Sequence, residues 1–512
     1  MQRSVPATNE ATQVARTATD TIPSTSVQMP VQTAADRSAV ITPNGPARID
    51  PVDAAGTAGE PEPAPAPDPA VKQDSAVGDA DMPMPDASAQ DDRDAIVEVV
   101  DVAQVWSGHP VHFDLVTHGD HQFVAFYDAD RTLTVGQRRL GAPAFELSQL
   151  PSVLGWDSHN DVVLAVDADD HVHVAGNMHS TPLTYFRAAR PLDVTSFESA
   201  QSMVGRDELA CTYPQFFHSA DNQLVFMYRS GSSGNGNHIF NAYDPATGRW
   251  HRLNGSALTD GQGQRNAYPV GPVQGPNGLF HLVWVWRDTP DAATNHNLSY
   301  ARSADLMLWQ GADGSPSTLP ITLATGDIVD PVPTHAGMIN NNTKVGFDGQ
   351  GRPIVSYHKY DASGFTQLYN ARFEDGRWVV HQASDWHSRW DFGGGGTLVF
   401  DVIVEPVEVQ PDGTLLQRYY NANEGGQGAF RLSPETLAAE STIESFSPYP
   451  HELSEVEANV PGMEVRFQAD RTANSADGLV YVLRWETLPS NRDQPRNWVP
   501  PSTLLRLYGL RR

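Results

Sequence analysis

Four things are scarce in this chain of 512 residues: cysteine, positive charge, long apolar runs and helical periodicity. Cys211 is the one cysteine, so no intramolecular disulfide and no thiolate-rich metal site can form within it. Lys and Arg number 34 against 62 Asp and Glu, a net charge of -28. That balance excludes a broad nucleic-acid or anionic-membrane surface. A polyanion could bind only at a local cationic pocket, acting within a Debye length of about 8–10 Å. No apolar run reaches the roughly 18 residues of a membrane-spanning helix. The opening segment, MQRSVPATNEATQVARTATD, has no apolar h-region, so no secretory signal is expected and localisation is left open.

What the chain does contain falls into two parts. Residues 1–97 are rich in Ala, Pro, Asp, Thr and Ser, and include Glu60-Pro61-Glu62-Pro63-Ala64-Pro65-Ala66-Pro67 and an acidic run from Asp79 to Asp94. Such a composition buries too little apolar surface to offset its chain entropy and predicts a disordered tail or linker. Residues 98–512 are different: Trp, Tyr, Phe and Val alternate with polar residues between turn clusters, the signature of strands.

Seven times an apolar run, a tight Asp/Asn/Gly turn and a second apolar run recur, with turns at Asp120, Asp170, Asn222, Gly278, Gly351, Gly413 and Gly478. A spacing of roughly 50 to 75 residues is a loose blade period. The expectation is an all-β fold, a seven-bladed β-propeller behind the tail. Ser303-Ala304-Asp305 with Trp309 resembles a degenerate Asp-box, and the carboxy-terminal STLLRLYGL reads as a strand that completes the last blade.

Residues equidistant from a hairpin turn stand level with each other. On that rule His159 is level with His179, Tyr213 with Arg229, and Tyr268 with Trp286-Arg287. The fifth blade adds His358-Lys359-Tyr360 with Asn340-Asn341 on the incoming strand, and the sixth adds Tyr420-Asn421. One rim therefore collects histidines, tyrosines, Arg229, Arg287 and Lys359. In so acidic a chain such a cluster points to recognition of an anion, and the arginine fork suits a carboxylate. Each residue also has a structural reading, as a packed strand end or a solvated ion pair. His109, His112, His118 and His121 cluster in the first blade but match no compact zinc spacing.

The phrases Asp157-Ser158-His159-Asn160, Gly176-Asn177-Met178-His179, Thr212-Tyr213-Pro214-Gln215-Phe216 and Tyr228-Arg229-Ser230-Gly231 resemble the β-propeller polysaccharide lyases that cleave ulvan, whose propeller is BNR-repeat-like. So do Asn266-Ala267-Tyr268-Pro269, Tyr357-His358-Lys359-Tyr360 and WHSRWDFGGGG from Trp386 to Gly396. The resemblance covers residues 100–445. It implies seven blades and β-elimination at a 4-linked uronic acid, glucuronate or iduronate beside rhamnose. Its implied catalytic set is His159, His179, Tyr213, Arg229 and Tyr268. In the chemistry it implies, Arg229 neutralises the carboxylate, and His159 and Tyr213 serve as base and acid or Tyr213 as both. Arg287, His358, Lys359, Trp386, Arg389, Trp390, Tyr420 and Asn421 hold neighbouring sugars. No cofactor is expected for turnover, although a structural calcium or zinc ion is compatible with the family. The expected partner is an acidic polysaccharide, with no nucleic acid and no membrane, and the chain is expected to be monomeric. A secreted setting would suit this function. A sialidase-like glycoside hydrolase and a non-catalytic carbohydrate-binding propeller are the alternatives.

Overall fold

A computed structural model describes residues 96–200, 202–443, 448–472 and 478–511. The described residues form seven antiparallel sheets, each built on a meander of neighbouring strands, in an all-β propeller. Six sheets follow one another along the chain, except that one short strand of the third lies between strands of the second. The first runs Asp114–His118, His121–Tyr127, Thr132–Arg139 and Glu146–Val153, and the sixth ends at Ala439–Ile443. All seven expected turns lie between two neighbouring strands of one sheet, from Asp114–His118 with His121–Tyr127 to Glu464–Ala469 with Val480–Thr487.

The seventh sheet uses both ends of the described chain. Thr503–Leu510 lies between Val480–Thr487 and Ile96–Val105, in register from Ile96↔Leu510 to Val105↔Thr503. The expected tail, residues 1–97, lies outside the described residues except for its last two. Ile96 and Val97 begin this strand, so the boundary at 97/98 moves two residues earlier, because Ile96 pairs with Leu510.

The core is built on strands that show no alternation of burial. Second strands such as Phe280–Arg287 and His121–Tyr127 are buried on both faces, as expected of a strand packed between neighbouring sheets. One apolar cluster spans the first, second and seventh sheets, where Phe113 stacks on Trp485 at 4.6 Å. Beside it Arg471, just past Glu464–Ala469, gives two 2.8 Å hydrogen bonds to Asp114 and one of 2.8 Å to the Phe216 carbonyl, and also donates to the Leu164 carbonyl. One guanidinium thus ties the seventh sheet to the inner strands of the first three. The Asp-box expectation also has a counterpart: Asp305 Oδ1 accepts the N–H groups of Met307 and Leu308 at 2.9 and 2.8 Å. Among the described residues no helix is long and apolar enough to cross a membrane.

Several histidines are buried as neutral rings. Burial lowers His109, His281 and His358 from 6.5 to about 4, and lowers His238 to about 3 with Arg229 adding to the effect. A backbone contact with Gly337 opposes the shift at His358. The unfolded chain therefore binds protons below pH 6.5 that the fold refuses, and stability falls as pH drops from about 6.5 toward 4. We predict a shallower fall of Tm over that range in His358→Phe, since this ring packs on Trp390 and Phe392. An unchanged slope would remove His358 from the account. The closing strand gives a second test. A chain beginning at Ile96 should melt like the full chain, whereas deletion through Val105 should lower Tm by about 5 °C or more. Equal melting of the two truncations would show that closure does not depend on this strand.

Candidate active site

Residues 157–161 lead into Val162–Val166, and the pairing of that strand with Val172–Gly176 stops at Val162↔Gly176. The chain then turns through Asn177 and Ser180, both left-handed with φ of 58° and 56°. His179 is consequently not the end of the same hairpin, as its spacing suggested. It lies on a short strand, His179–Thr181, that adds to the third sheet with His179 opposite Thr212. This detour stacks the His159 and His179 rings at 4.2 Å.

Between the two rings stands Asp157, which was no candidate. Its Oδ1 accepts from the His159 backbone at 2.9 Å and meets His159 Nδ1 at 2.8 Å, while Oδ2 meets His179 Nδ1 at 2.5 Å. Burial alone would raise this carboxyl, but the two histidine contacts outweigh it and hold it well below the usual carboxylate range. Three potential ligand atoms from Asp157, His159 and His179 lie within 4.8 Å of one another. Both Nδ1 atoms face the carboxylate oxygens at hydrogen-bond distance, so the group is a carboxylate bridging two imidazoles. That fixes the tautomer: Nδ1 of His159 is engaged and Nε2 is left for a ligand.

Tyr213 approaches from the next sheet. A bulge between Thr212 and Gln215, with Tyr213 itself at φ 56°, turns its ring to 6.0 Å from His159 and 6.0 Å from Tyr268. Burial raises the Tyr213 phenol above its ordinary value and Tyr268 adds to this, with Arg229 and Arg287 opposing. Tyr268 Oη shares a 2.8 Å hydrogen bond with Ser233. The register sets Tyr268 opposite Val285 and Asn266 opposite Arg287, which corrects the expected level, yet Arg287 still lies 5.6 Å from the Tyr268 ring centre.

His159, Tyr213, Tyr268, Arg287 and Asn340 line a cavity of about 720 Å³ that also receives Asp161. Arg229 does not line it. Its guanidinium is 0% exposed, 5.0 Å from the Tyr213 ring, and donates to Thr212 Oγ1 at 2.8 Å and Ser180 Oγ at 3.2 Å. Nε and Nη1 have no hydrogen-bond partner, and no carboxylate among the described residues pairs with it. Gly236 allows this placement: a Cβ there would come within 3.0 Å of Arg229 Cδ and 2.8 Å of Asn266 Oδ1. Arg287 likewise meets only neutral acceptors, the carbonyls of Thr289 and Pro290 and Asn340 Oδ1.

The other expected contacts fall elsewhere. Lys359 is bound to Asp330 at 2.5 Å, so it is not a free rim cation. Trp386 and Trp390 are core residues, packed on Tyr419 and on Phe392 and Phe400, and offer no stacking platform. Arg389 is held 3.7 Å over the Tyr360 ring by Asp391 and the Gly364 carbonyl. His358 is buried beside Trp390, Asn421 is buried in its strand, and neither these two nor Tyr420 lines the cavity. In the first blade, His109 accepts from Trp106 and His118 pairs with Asp170, so these histidines do not converge.

Comparison with known proteins gives a consistent picture. A family model described as a BNR repeat-containing family member matches residues 121–386. An ulvan lyase, short isoform, from Alteromonas sp. (strain LOR) is 28% identical over 155 residues, which span 27% of this chain and 29% of that protein. Among solved structures, polysaccharide lyase Uly1 superposes with a TM-score of 0.53 at 13% identity, covering 81% of this chain and 99% of that one. A PL25 ulvan lyase has a TM-score of 0.54 at 11% identity, covering 81% and 96%. The same PL25 protein bound to -[GlcA(1-4)Rha3S]- has 0.54 at 10% identity, also covering 81% and 96%. At these identities the superpositions speak for the fold.

A buried guanidinium without a carboxylate bears a desolvation penalty that no ion pair offsets, whereas removing one from a buried pair strands the carboxylate it held. Arg229→Met should therefore fold with a Tm equal to or above that of the parent chain. Arg138→Met should melt lower, because Arg138 holds Glu98 at 2.8 and 2.9 Å and Gln122 at 2.7 Å. A clear loss of Tm in Arg229→Met would mean that its charge is compensated within the fold.

Proposed function

The chain belongs to the BNR repeat-containing family, and on that footing we propose that it is a polysaccharide lyase cleaving the bond to a 4-linked uronic acid by β-elimination. One observation carries the reading: two buried guanidiniums without carboxylate partners flank the same tyrosines that stand beside the bridged histidine pair. A net charge of -28 makes that local concentration of uncompensated cation a feature in need of an anion. The uronate carboxylate is such an anion. The ulvan lyase relative and the PL25 complex support an ulvan-like polymer, glucuronate or iduronate beside rhamnose.

The C5 proton of a uronate is scarcely acidic while its carboxylate is charged, because removing it creates an enolate dianion. Arg287, which lines the cavity, meets the carboxylate and stabilises the charge that grows on it. His159 Nε2 takes the C5 proton. The electron pair of that bond becomes the C4=C5 double bond, the C4–O bond breaks, and Tyr213 protonates the departing oxygen. Arg229, behind the Tyr213 ring, favours the phenolate left after that transfer. Arginine supplies the neutralising charge, so turnover should survive dialysis against a chelator.

Incubation with rhamnose-containing uronate polymers should release a product with the ultraviolet absorbance of a C4=C5 unsaturated uronate. Neither hydrolysis by a sialidase-like enzyme nor simple binding produces that chromophore. We expect His159→Ala and Tyr213→Phe each to lower kcat by about 10²-fold or more with the fold intact. A fully active Tyr213→Phe would remove the proposed acid, and a fully active His159→Ala would leave both proton transfers to the tyrosine.

A further inference from the structure

The connection between Val480–Thr487 and Thr503–Leu510 runs back to the cavity, where Pro489 and Ser490 form part of the lining. The same connection carries Asp493, 13% exposed. Oδ1 accepts the Ser158 N–H and the Thr397 hydroxyl, both at 3.0 Å, and Oδ2 accepts the Thr397 N–H at 2.8 Å. Oδ2 also stands 3.4 Å from His159 Nδ1, and Thr397 Oγ1 lies 3.4 Å from the same nitrogen.

This placement is strongly specified. Arg492 and Asp493 are consecutive non-glycine residues in the left-handed region, at φ 50° and 62°, which persists only where surrounding contacts over-determine it. Arg492 Nη1 donates to the carbonyls of Gly393 and Gly395 at 2.9 and 3.3 Å. At Gly396, φ 78°, a Cβ would come within 2.6 Å of the Arg492 carbonyl, so glycine is what lets the two loops pass.

The charges explain why a second carboxylate belongs there. Asp157 is shared, one oxygen to each imidazole. Its single negative charge is divided between them. A proton arriving on His159, stacked 4.2 Å from His179, then needs another anion close by. Around His159 stand Asp157, His179, Tyr213, Thr397 and Asp493, and Asp493 is the one that supplies this charge.

We propose that Asp493 is a positioning residue of the site, acting through His159: it holds the ring with Nδ1 turned inward and balances the charge gained when Nε2 takes the substrate proton. This rests on the reading of His159 as the base. Asp493→Asn keeps the shape and one acceptor and removes the charge. Expected are a kcat about tenfold lower, a KM within about twofold and a Tm lowered only slightly, by the one N–H acceptor that the amide NH2 replaces. In a His159→Ala background the same substitution should change nothing further, because its effect passes through the missing ring. Thr397→Val, which leaves the charge in place, should alter kcat less than about threefold. In 15N NMR the His159 ring should keep the Nδ1–H that Asp157 holds, but its Nδ1 resonance should move in Asp493→Asn, where one of its two carboxylate neighbours has lost its charge. Wild-type kcat in Asp493→Asn, or an equal loss of kcat with and without His159, would overturn the proposal. Should the parent chain give no unsaturated product from any uronate polymer, the lyase reading fails. The NMR measurement then decides alone, and an unchanged Nδ1 resonance would end the proposal as well. If Asp493→Asn does not fold, the same NMR measurement on Thr397→Val serves, and a wild-type ring there supports the charge over the hydroxyl.

Discussion

Closure of the seventh sheet is the constraint on which everything else hangs. Ile96–Val105 must find Thr503–Leu510 across some four hundred residues of chain, a loop whose closure entropy grows slowly with its length but is never favourable. The pairing recovers that cost by burying Val100, Val105, Leu505 and Leu507 in the cluster that joins the first, second and seventh sheets. Arg471 adds directional bonds where apolar packing has none, because its guanidinium reaches acceptors on three inner strands at once. The connection carrying Asp493 leads into that closing pair and lies against His159. The site draws on residues of the second, third, fourth and seventh sheets.

Two electrostatic designs stand side by side in the interior. Arg138, Arg372 and Arg484 are buried and matched by carboxylates, as a stable fold requires. Arg229 and Arg287 are buried and matched only by hydroxyls, carbonyls and an amide. The difference separates two kinds of buried cation in a way that residue type alone cannot. An uncompensated cation in a region of low polarity attracts an anion over a short range, even when the whole molecule is acidic, because the distant charges are screened.

Much of this was legible in the chain itself. Alternation of apolar and polar residues, broken by Asp, Asn and Gly turns, located every inner hairpin, because a strand's side-chain period and the φ > 0 demand of a tight turn are local properties. The same locality brought His159, Tyr213, Tyr268 and Arg287 to one end of the propeller. Asp157 was within reach too, two residues before His159. What the chain could not show was which side of a strand end meets solvent and which meets another sheet. Trp386, Trp390 and Lys359 have the residue types of a sugar-binding rim, yet the first two fill the core and the third is bound by Asp330, a residue 29 positions away. Nor does spacing reveal that His179 leaves its hairpin to join the next sheet. Asp493 carries no local sign at all. Its role depends on contacts with Ser158 and Thr397, 335 and 96 residues distant, and such contacts exist only once the ring of sheets has closed. The sequence by itself determined the strands, the turns and the end of the propeller where chemistry gathers. The tertiary structure alone decided which of those side chains are buried, which are paired and which face the cavity, since burial and pairing are properties of neighbours that the chain meets only in three dimensions.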